Sequence, residues 1–425
     1  MYKKSVLDNG LKVITAPMKG TRAVTVLILI GTGSRYESEQ LNGVTHFLEH
    51  MFFKGTSKRP TAQMISETID KVGGELNAYT SEESTGLFIH LASSHLELAL
   101  DVLSDMLLSS KFEREEIEKE KGVILEEINM HQDKPDIRVV NIYKSLLYGN
   151  QPLGWEVIGR KKVIKDIDRK KLLAYWEKNF SSNAAVVSIA GDVETRKTLT
   201  LVRKYLRKWE DRKKPYCKHI QEKQTAPAAT LEYRKTDQAY LCLGVRTFDY
   251  KHPDYSVLKV LNTILGGMVS SRLFVRLREE EGIAYSVDST SESYRDAGNL
   301  FVHAGVDISK VENAVLIILD EFKRMYREVI WREELGKAKE YLKGRMALEL
   351  ELSPGVASFL GHQELLLGKI KIPEEQAKEI EKVTSDDIRR VAKKIFINQC
   401  LNLAVVGPFT DKEKFTKLLK VEIDR

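Results

Sequence analysis

The chain has 425 residues and a mass of 48.5 kDa. This length predicts two domains of about 200 residues each, because a single hydrophobic core stops growing beyond roughly 250–300 residues. Lysine and arginine total 67 and aspartate and glutamate 61, and the net charge of +6 is too small to indicate a nucleic-acid-binding protein. Three cysteines far apart in sequence, Cys217, Cys242 and Cys400, predict buried thiols and exclude a multi-cysteine metal site.

The first predicted strand, Ala23 to Ile30, is also the longest mostly apolar run. It is far shorter than the roughly 20 residues that a membrane span needs. The opening "MYKKSVLDNGLKV" lacks the apolar segment and cleavage site of a signal peptide. We therefore expect a cytoplasmic protein with no membrane partner. Alternating apolar residues predict further strands at Gly86–Leu91, Ala184–Ala190, Tyr240–Val245, Leu300–Val306 and Leu401–Val406.

The segment "NGVTHFLEHMF", from Asn42 to Phe52, predicts a mostly buried helix, because it lacks proline and its apolar residues follow helical spacing. His46 and His50 are then one turn apart on the same face. Side chains at this spacing lie about 6 Å apart, so two imidazoles can bind one ion. Glu49 lies on a neighbouring part of that face, where it reaches a metal-bound water rather than the metal. The pattern H-x-x-E-H is the inverse of the commoner H-E-x-x-H zinc motif.

A catalytic zinc takes three protein ligands and keeps one position open for water. The third ligand is expected in "EKEKGVILEEINM", from Glu118 to Met130, a second helical segment rich in carboxylates. Glu126 and Glu127 are both candidates. Glu127 shares a helix face with Glu120, seven residues earlier, whereas Glu126 is turned about 100° away. Two histidines and one carboxylate favour zinc, although manganese or cobalt also suits this set.

H-x-x-E-H followed by "EKGVILEEI" resembles the zinc peptidases of the pitrilysin, insulin-degrading enzyme and mitochondrial processing peptidase family. In that family the third ligand lies about 77 residues after the second histidine, and 127 − 50 = 77 selects Glu127. The resemblance also implies that Glu120 supports the metal site, as carboxylates that orient ligand histidines do. The implied cofactor is one zinc ion per chain. The implied chemistry is metal-assisted amide hydrolysis with Glu49 as general base.

The same resemblance implies where a peptide binds. In "GGELNAYTSEESTGLFIH", from Gly73 to His90, the family pairs substrate backbone with an edge strand, so Asn77, Ala78 and Tyr79 are expected substrate contacts. In "SRLFVRLREEEGIAYSV", from Ser271, it implies that Arg278 and Tyr285 bind the substrate carbonyl or the oxyanion.

The two halves of the chain resemble each other. "GLFIHLASSHLELALDVLSDML" matches "NLFVHAGVDISKVENAVLIILDEF" at an offset of 213, and segments around Phe180 and Phe396 match at an offset of 216. We therefore predict an α+β fold of two duplicated domains, each a mixed, mostly antiparallel sheet packed with helices, as the resemblance implies. The boundaries are 1–210 for the catalytic zinc-binding domain, 211–230 for a linker and 231–425 for a second domain without metal ligands.

Three functions remain open at this point. The first is a zinc endopeptidase that hydrolyses unstructured peptides or presequence-like segments inside a closed chamber. The second is a non-catalytic or regulatory partner subunit of a heteromeric processing protease, although such partners usually lose the metal residues that this chain keeps. The third, a nucleic-acid or membrane-surface binder, depends only on the small positive charge. By resemblance, a chain of this length pairs as a homodimer, with Arg278 and Tyr285 of one subunit completing the other's active site in trans.

Overall fold

A computed structural model of the chain describes residues 2–421. The strands are β1 (Lys3–Val6), β2 (Lys12–Pro17), β3 (Ala23–Ile30), β4 (Glu75–Thr80), β5 (Thr85–Ala92), β6 (Ala185–Gly191), β7 (Ala228–Tyr233), β8 (Gln238–Thr247), β9 (Ala284–Ser293), β10 (Gly298–Asp307) and β11 (Asn402–Gly407). All six predicted strands are present: β3 has the predicted ends, and the ends of the other five differ from the predicted ones by one or two residues. The last three residues of the predicted linker begin β7.

The helices that precede the middle of the chain are α1 (Val44–Met51), α2 (Ala62–Asp70), α3 (Leu96–Ser109), α4 (Arg114–Asp133), α5 (Pro135–Tyr148), α6 (Lys161–Asp166), α7 (Arg169–Asn179) and α8 (Thr195–Leu206). Those that follow are α9 (Tyr255–Leu265), α10 (Arg272–Phe274), α11 (Val311–Arg327), α12 (Arg332–Glu349), α13 (Ser353–His362), α14 (Pro373–Glu381), α15 (Ser385–Ile395) and α16 (Lys412–Leu418). Two π-helical turns, Val275–Glu280 and Gln363–Leu367, continue α10 and α13. In residues 2–421, no helix has both the length and the apolar character to cross a membrane.

The strands form two sheets with the same connectivity. The first has the order β1-β2-β6-β3-β5-β4 and the second the order β7-β11-β8-β10-β9. In each sheet one pair is parallel, β2 with β6 and β7 with β11, and the other neighbours are antiparallel. Apart from β1, each strand of the first sheet therefore has a counterpart in the second. This repeat confirms the expected α+β fold of two duplicated, mostly antiparallel domains.

The chain divides into two compact units that do not follow the two halves of the sequence. The first contains Met1–Asn129, Trp155–Lys218 and Ala347–Ile370, and the second contains Met130–Gly154, His219–Met346 and Lys371–Arg425. The units thus differ from the predicted ranges 1–210 and 231–425 in two exchanged segments, which carry α5 and α13.

The exchanged helices cover sheet faces that would otherwise be open. In the first unit, alternate residues of β3 point to opposite faces: Val26 and Ile28 join the core formed with α1 and α3, whereas Leu27 and Leu29 join a smaller core with Leu360 of α13. In the second unit, α5 packs in the same way against β8, β10 and β11. Hydrophobic periodicity predicts that a helix face is buried, but not which sheet buries it, so the exchange was not predictable from the pattern.

Candidate metal centre

Helix α1 presents both histidines of the H-x-x-E-H motif on one face. Its apolar residues, among them Phe47 and Leu48, are fully buried in the core of the first unit. His46 and His50 lie on the opposite side, one turn apart, with ring centroids separated by 4.6 Å and planes inclined at 65°. The predicted helix is therefore present, over Val44–Met51 rather than the full Asn42–Phe52.

A buried carboxylate holds the start of this helix. Gly43, the residue before the first turn, has a positive φ of 98° and offers no capping side chain. Instead, the backbone N–H groups of Gly43 and Thr45 donate to Glu37 at 2.7 and 2.8 Å. Complete burial raises the pKa of Glu37 to about 7, although these hydrogen bonds lower it in part. Glu37 thus supplies the N-terminal cap that α1 lacks in its own sequence.

Helix α4 brings Glu127 to the two histidines. Its Oε2 lies 3.8 Å from His46 Nε2 and 3.5 Å from His50 Nε2. Ligands that bind one zinc ion tetrahedrally at bond lengths of roughly 2.0–2.2 Å lie about 3.3–3.6 Å from one another. Both distances from Glu127 to the histidines therefore suit a shared zinc ion within a few tenths of an ångström, and all three donor atoms lie within 4.8 Å of one another.

Among residues 2–421, this trio is the one set of histidine, cysteine or acidic residues whose donor atoms gather closely enough to hold a metal. Glu126, the rival for the third ligand, lies on the exposed side of α4. The geometry therefore distinguishes the two adjacent glutamates.

Glu120 lies on the same face of α4 as Glu127, seven residues earlier, and it orients His50. Its Oε1 lies 2.7 Å from His50 Nδ1, and its Oε2 accepts from Lys54 Nζ at 2.6 Å. Because Nδ1 donates to this carboxylate, Nε2 is the ring nitrogen that faces Glu127. Burial disfavours charge on His50, but hydrogen bonds to Glu120 and Glu127 outweigh it and raise its pKa to about 9. The site thus favours positive charge at the place where an ion would bind.

Glu49 lies between the metal residues and strand β4. Its Oε2 accepts a hydrogen bond from Thr80 Oγ1 at 2.7 Å. Burial raises the pKa of Glu49, and the negative charge of Glu127 adds to that effect, whereas Thr80 and His50 oppose it. A carboxylate with a raised pKa is suited to accept a proton near neutral pH. The contact with Thr80 also ties β4 to the helix that carries the motif.

Strand β4 is an edge strand of the first sheet within the described residues, as expected for the peptide-binding strand. At the hairpin end, Ser81 N donates to Ser84 O, so these two residues form a hydrogen-bonded pair. Hydrogen-bonded and non-hydrogen-bonded pairs alternate along antiparallel strands, so the backbone N–H and C=O groups of Ala78 and Thr80 point away from β5. Those of Asn77 and Tyr79 face β5. Of the three expected substrate contacts, only Ala78 therefore offers its backbone to an added strand, and its N–H is bonded to Asn77 Oδ1 at 2.8 Å.

Arg278 and Tyr285 lie in the second unit, where the structure brings them together. Arg278 Nη1 donates to the carbonyl oxygen of Tyr285 at 3.0 Å, and its guanidinium lies over the ring of Phe274 at 5.0 Å. Tyr285 is 75% exposed. Arg272, in the same segment, makes a two-pronged ion pair with Glu334 at 2.8 and 2.7 Å. The pair thus lies on a firmly anchored segment and has an accessible tyrosine.

Thr80 and Lys54 contact the site but were not among the sequence candidates. Both could have been found from their spacing to predicted site residues. Thr80 shares a strand face with Ala78, two residues earlier, and Lys54 follows His50 by four residues, which is one helical turn.

Comparisons with known proteins agree with this geometry. The profile of the family described as "Insulinase (Peptidase family M16)" matches residues 12–161, and the profile "Peptidase M16 inactive domain" matches residues 166–342. Together they cover more than half of the chain. The chain belongs to peptidase family M16. This membership confirms the resemblance to pitrilysin-like peptidases, and the second profile agrees with the lack of an H-x-x-E-H motif in the second half.

Several relatives match this chain over nearly its whole length. A protein of Bacillus subtilis (strain 168) named "Uncharacterized zinc protease YmxG" is 35% identical over 96% of this chain and 98% of its own length. A protein of Streptomyces coelicolor named "Uncharacterized zinc protease SCO5738" is 34% identical over 97% of this chain and 90% of its own length. These names support zinc and proteolysis in the M16 family.

Solved structures share the fold. A protease from Helicobacter pylori has a TM-score of 0.89 at 23% identity, covering 96% of this chain and 99% of that one. A chain of "Complex III2 from Candida albicans" has a TM-score of 0.83 at 19% identity, covering 98% and 99%. At these identities the likeness shows the two-domain M16 fold alone, so a catalytic function must be argued from the site.

Proposed function

We propose that this chain is a zinc-dependent endopeptidase of family M16 that hydrolyses unstructured peptides or presequence-like segments inside a closed chamber. The observation that carries the proposal is the convergence of His46, His50 and Glu127, with Glu49 beside them and an edge strand attached through Thr80. One zinc ion per chain would be held by the two imidazole Nε2 atoms and the Glu127 carboxylate. The proposed compartment is the cytoplasm.

When bound, zinc would supply Lewis-acid activation of water and of the scissile carbonyl. Glu49 would take the proton of the attacking water and deliver it to the leaving nitrogen. Thr80 engages Glu49 Oε2, which leaves Oε1 for the proton. Glu120 holds His50 in the tautomer whose Nε2 is available. The outward backbone of Ala78 would pair with the peptide and hold it extended, independently of its sequence.

The direct test of the general base is Glu49→Gln in the full-length protein. We expect the variant to keep its zinc, because Glu49 is not a ligand, and to lose peptide cleavage by at least about 100-fold, the usual scale of general-base catalysis. Zinc content and cleavage of a quenched fluorescent peptide are measured on the same samples. Glu126→Gln, the same chemical change at an exposed site, is the matched control and should leave both unchanged. Cleavage by Glu49→Gln at the wild-type rate would refute the assignment.

The alternative, a non-catalytic or regulatory subunit of a heteromeric protease, is tested by the same samples. A purified wild-type chain that binds zinc but cleaves no peptide until a second protein is added would favour the alternative. The intact set of His46, Glu49, His50 and Glu127 supports the peptidase instead.

We further propose a homodimer in which Arg278 and Tyr285 of one subunit serve the metal centre of the other, stabilising the oxyanion. Mixing Tyr285→Phe protein with Glu49→Gln protein tests it. Each protein alone carries one defect in both copies of its site. Each exchanged dimer would contain one site with both functional groups, and free exchange of an equimolar mixture makes about half of the dimers mixed, so activity should rise towards about a quarter of that of wild type. No recovery in dimers shown to have exchanged would count against service in trans.

A further inference from the structure

A histidine outside the metal centre contacts the strand expected to bind peptide. The hydroxyl of Tyr79, in β4, lies 3.0 Å from Nε2 of His362, at the end of α13. Their rings are stacked, with centroids 6.2 Å apart and planes inclined at 21°. Tyr79 points to the sheet face opposite that of Thr80, so this pair lies across the sheet from Glu49.

The hydrogen bonds around His362 define the direction of this contact. Its Nδ1 lies 2.9 Å from the carbonyl oxygen of Ser358, which can only accept, so Nδ1 carries the proton. Nε2 is therefore an acceptor and the Tyr79 hydroxyl donates to it. Burial lowers the pKa of His362 and raises that of Tyr79, so both side chains are neutral near pH 7. The contact is a neutral hydrogen bond with a fixed direction.

Helix α13 itself is fastened to the first sheet at both ends. At its start, the Ser353 hydroxyl lies 2.8 Å from that of Thr25 in β3. Just after its end, the buried carboxylate of Glu364 pairs with Lys4 at 2.7 Å and Lys12 at 2.9 Å, in β1 and β2. His362 lies between these anchors, where the helix changes to a π-helical turn, a feature often found at functional sites. Its imidazole is therefore held in place relative to the sheet.

Strand β4 needs such an anchor because, in the described residues, it has a strand neighbour on one side only. The Tyr79 ring lies across Gly86 of β5, where an added Cβ would meet the ring at 2.4 Å. Glycine at 86 thus lets the tyrosine lie flat over the sheet and reach His362. On the other face, Thr80 reaches Glu49. The strand is held from both sides at adjacent residues.

We propose that His362 is a positioning residue that sets the peptide-binding edge of β4 by holding Tyr79, so that a segment from the second half of the sequence helps to determine how tightly the first unit binds peptide. The inference depends on the proposed peptidase function. It assigns no chemistry to His362 itself, since the imidazole acts through Tyr79 and the strand.

The test compares steady-state kinetics of full-length, zinc-loaded proteins on a quenched fluorescent peptide. Loss of the hydrogen bond in His362→Leu should raise KM about five-fold, equivalent to about 1 kcal/mol at 1.4 kcal/mol per factor of ten, and change kcat by less than about two-fold. Tyr79→Phe, which removes only the hydroxyl, should give a similar rise. The double variant should be no worse than either single variant, because both remove the same contact.

A merely structural role gives a different pattern. Loss of folded protein lowers the apparent kcat and leaves KM unchanged. Val356→Ala, on the same helix but about 9 Å from His362 along its axis, is the matched control and should not alter KM. If His362→Leu does not fold, Tyr79→Phe with His362→Gln, which keeps an acceptor, carries the test, and His362→Gln should retain most of the wild-type affinity.

The outcomes separate the inference from the function on which it depends. If wild type cleaves the peptide and the KM of His362→Leu or Tyr79→Phe is unchanged, the positioning role is refuted and the peptidase stands. Independent, multiplicative effects of the two substitutions would also refute it. If zinc-loaded wild type cleaves no peptide, the proposed function itself fails.

Discussion

Glu127 is the acidic member of the proposed ligand set, and one of its carboxylate oxygens lies close to both histidine rings. Its neighbour Glu126 carries the same charge on the same helix but faces solvent. The two residues therefore offer a matched comparison of ligand and non-ligand, because total charge and helix propensity change equally in both variants.

Glu127→Gln should weaken zinc binding by more than about 100-fold, since loss of a direct ligand should exceed the 10–100-fold typical of outer-shell residues. Glu126→Gln should bind zinc like wild type. Competition with a chromophoric chelator measures both affinities without reference to activity. Equal affinities for the two variants would show that α4 does not supply the third ligand.

Site residues that belong to a short sequence motif were predictable, whereas residues that meet only in the folded chain were not. The two histidines and Glu49 could be predicted because residues four apart in any helix lie one turn apart on the same face. Glu127 needed both the helix face and the family spacing. His362 lies more than 280 residues from Tyr79, and nothing in a short window of sequence links them. The roles of Asn77, Ala78, Tyr79, Arg278 and Tyr285 in binding substrate remain predictions.

At the scale of elements, the placement of α1 depends on Glu37 as much as on its own residues. Glu37 has a pKa of about 7 in the folded protein because it is buried, against 4.5 ordinarily. The folded protein therefore keeps a proton there that the unfolded chain has lost. This contribution to stability is full below about pH 4.5 and is lost as pH rises through about 7.

Glu37→Gln should remove this dependence, because the amide is permanently neutral. As pH rises from about 5 to about 8, wild type should lose up to about 3 kcal/mol of its free energy of unfolding, the value that corresponds to the rise in pKa. The variant should not show this loss. Urea unfolding at both pH values measures it. Glu39→Gln, at an exposed site two residues away, is the control and should follow the wild-type pH curve. Parallel curves for Glu37→Gln and wild type would contradict the prediction.

Buried elements were easier to predict than edge elements. Strands β3 and β6 are buried on both faces, and their apolar runs stand out. Strand β9, with the sequence "AYSVDSTSES", is mostly polar and partly exposed at the edge of the second sheet, so hydrophobic alternation does not reveal it. Such edges are also where partners and substrates add, so the least predictable strands are those with functional interest.

At the scale of the whole molecule, the duplication was predictable because the two copies keep similar strand–helix segments at offsets of 213 and 216 residues. The matching strand orders confirm it. The exchange of α5 and α13 was not predictable, since a helix with one apolar face packs equally well on either copy of a repeated sheet. One consequence is that residues 1–210 alone would lack the helix that covers the second face of the first sheet.

The most direct test of the central claim follows zinc content and peptide cleavage together while a chelator removes metal from the wild-type chain. We predict that the cleavage rate falls in proportion to bound zinc, reaches its maximum at one ion per chain and returns when zinc is added back. A protein freed of metal that still cleaves at the full rate would contradict the claim that His46, His50 and Glu127 hold a catalytic ion.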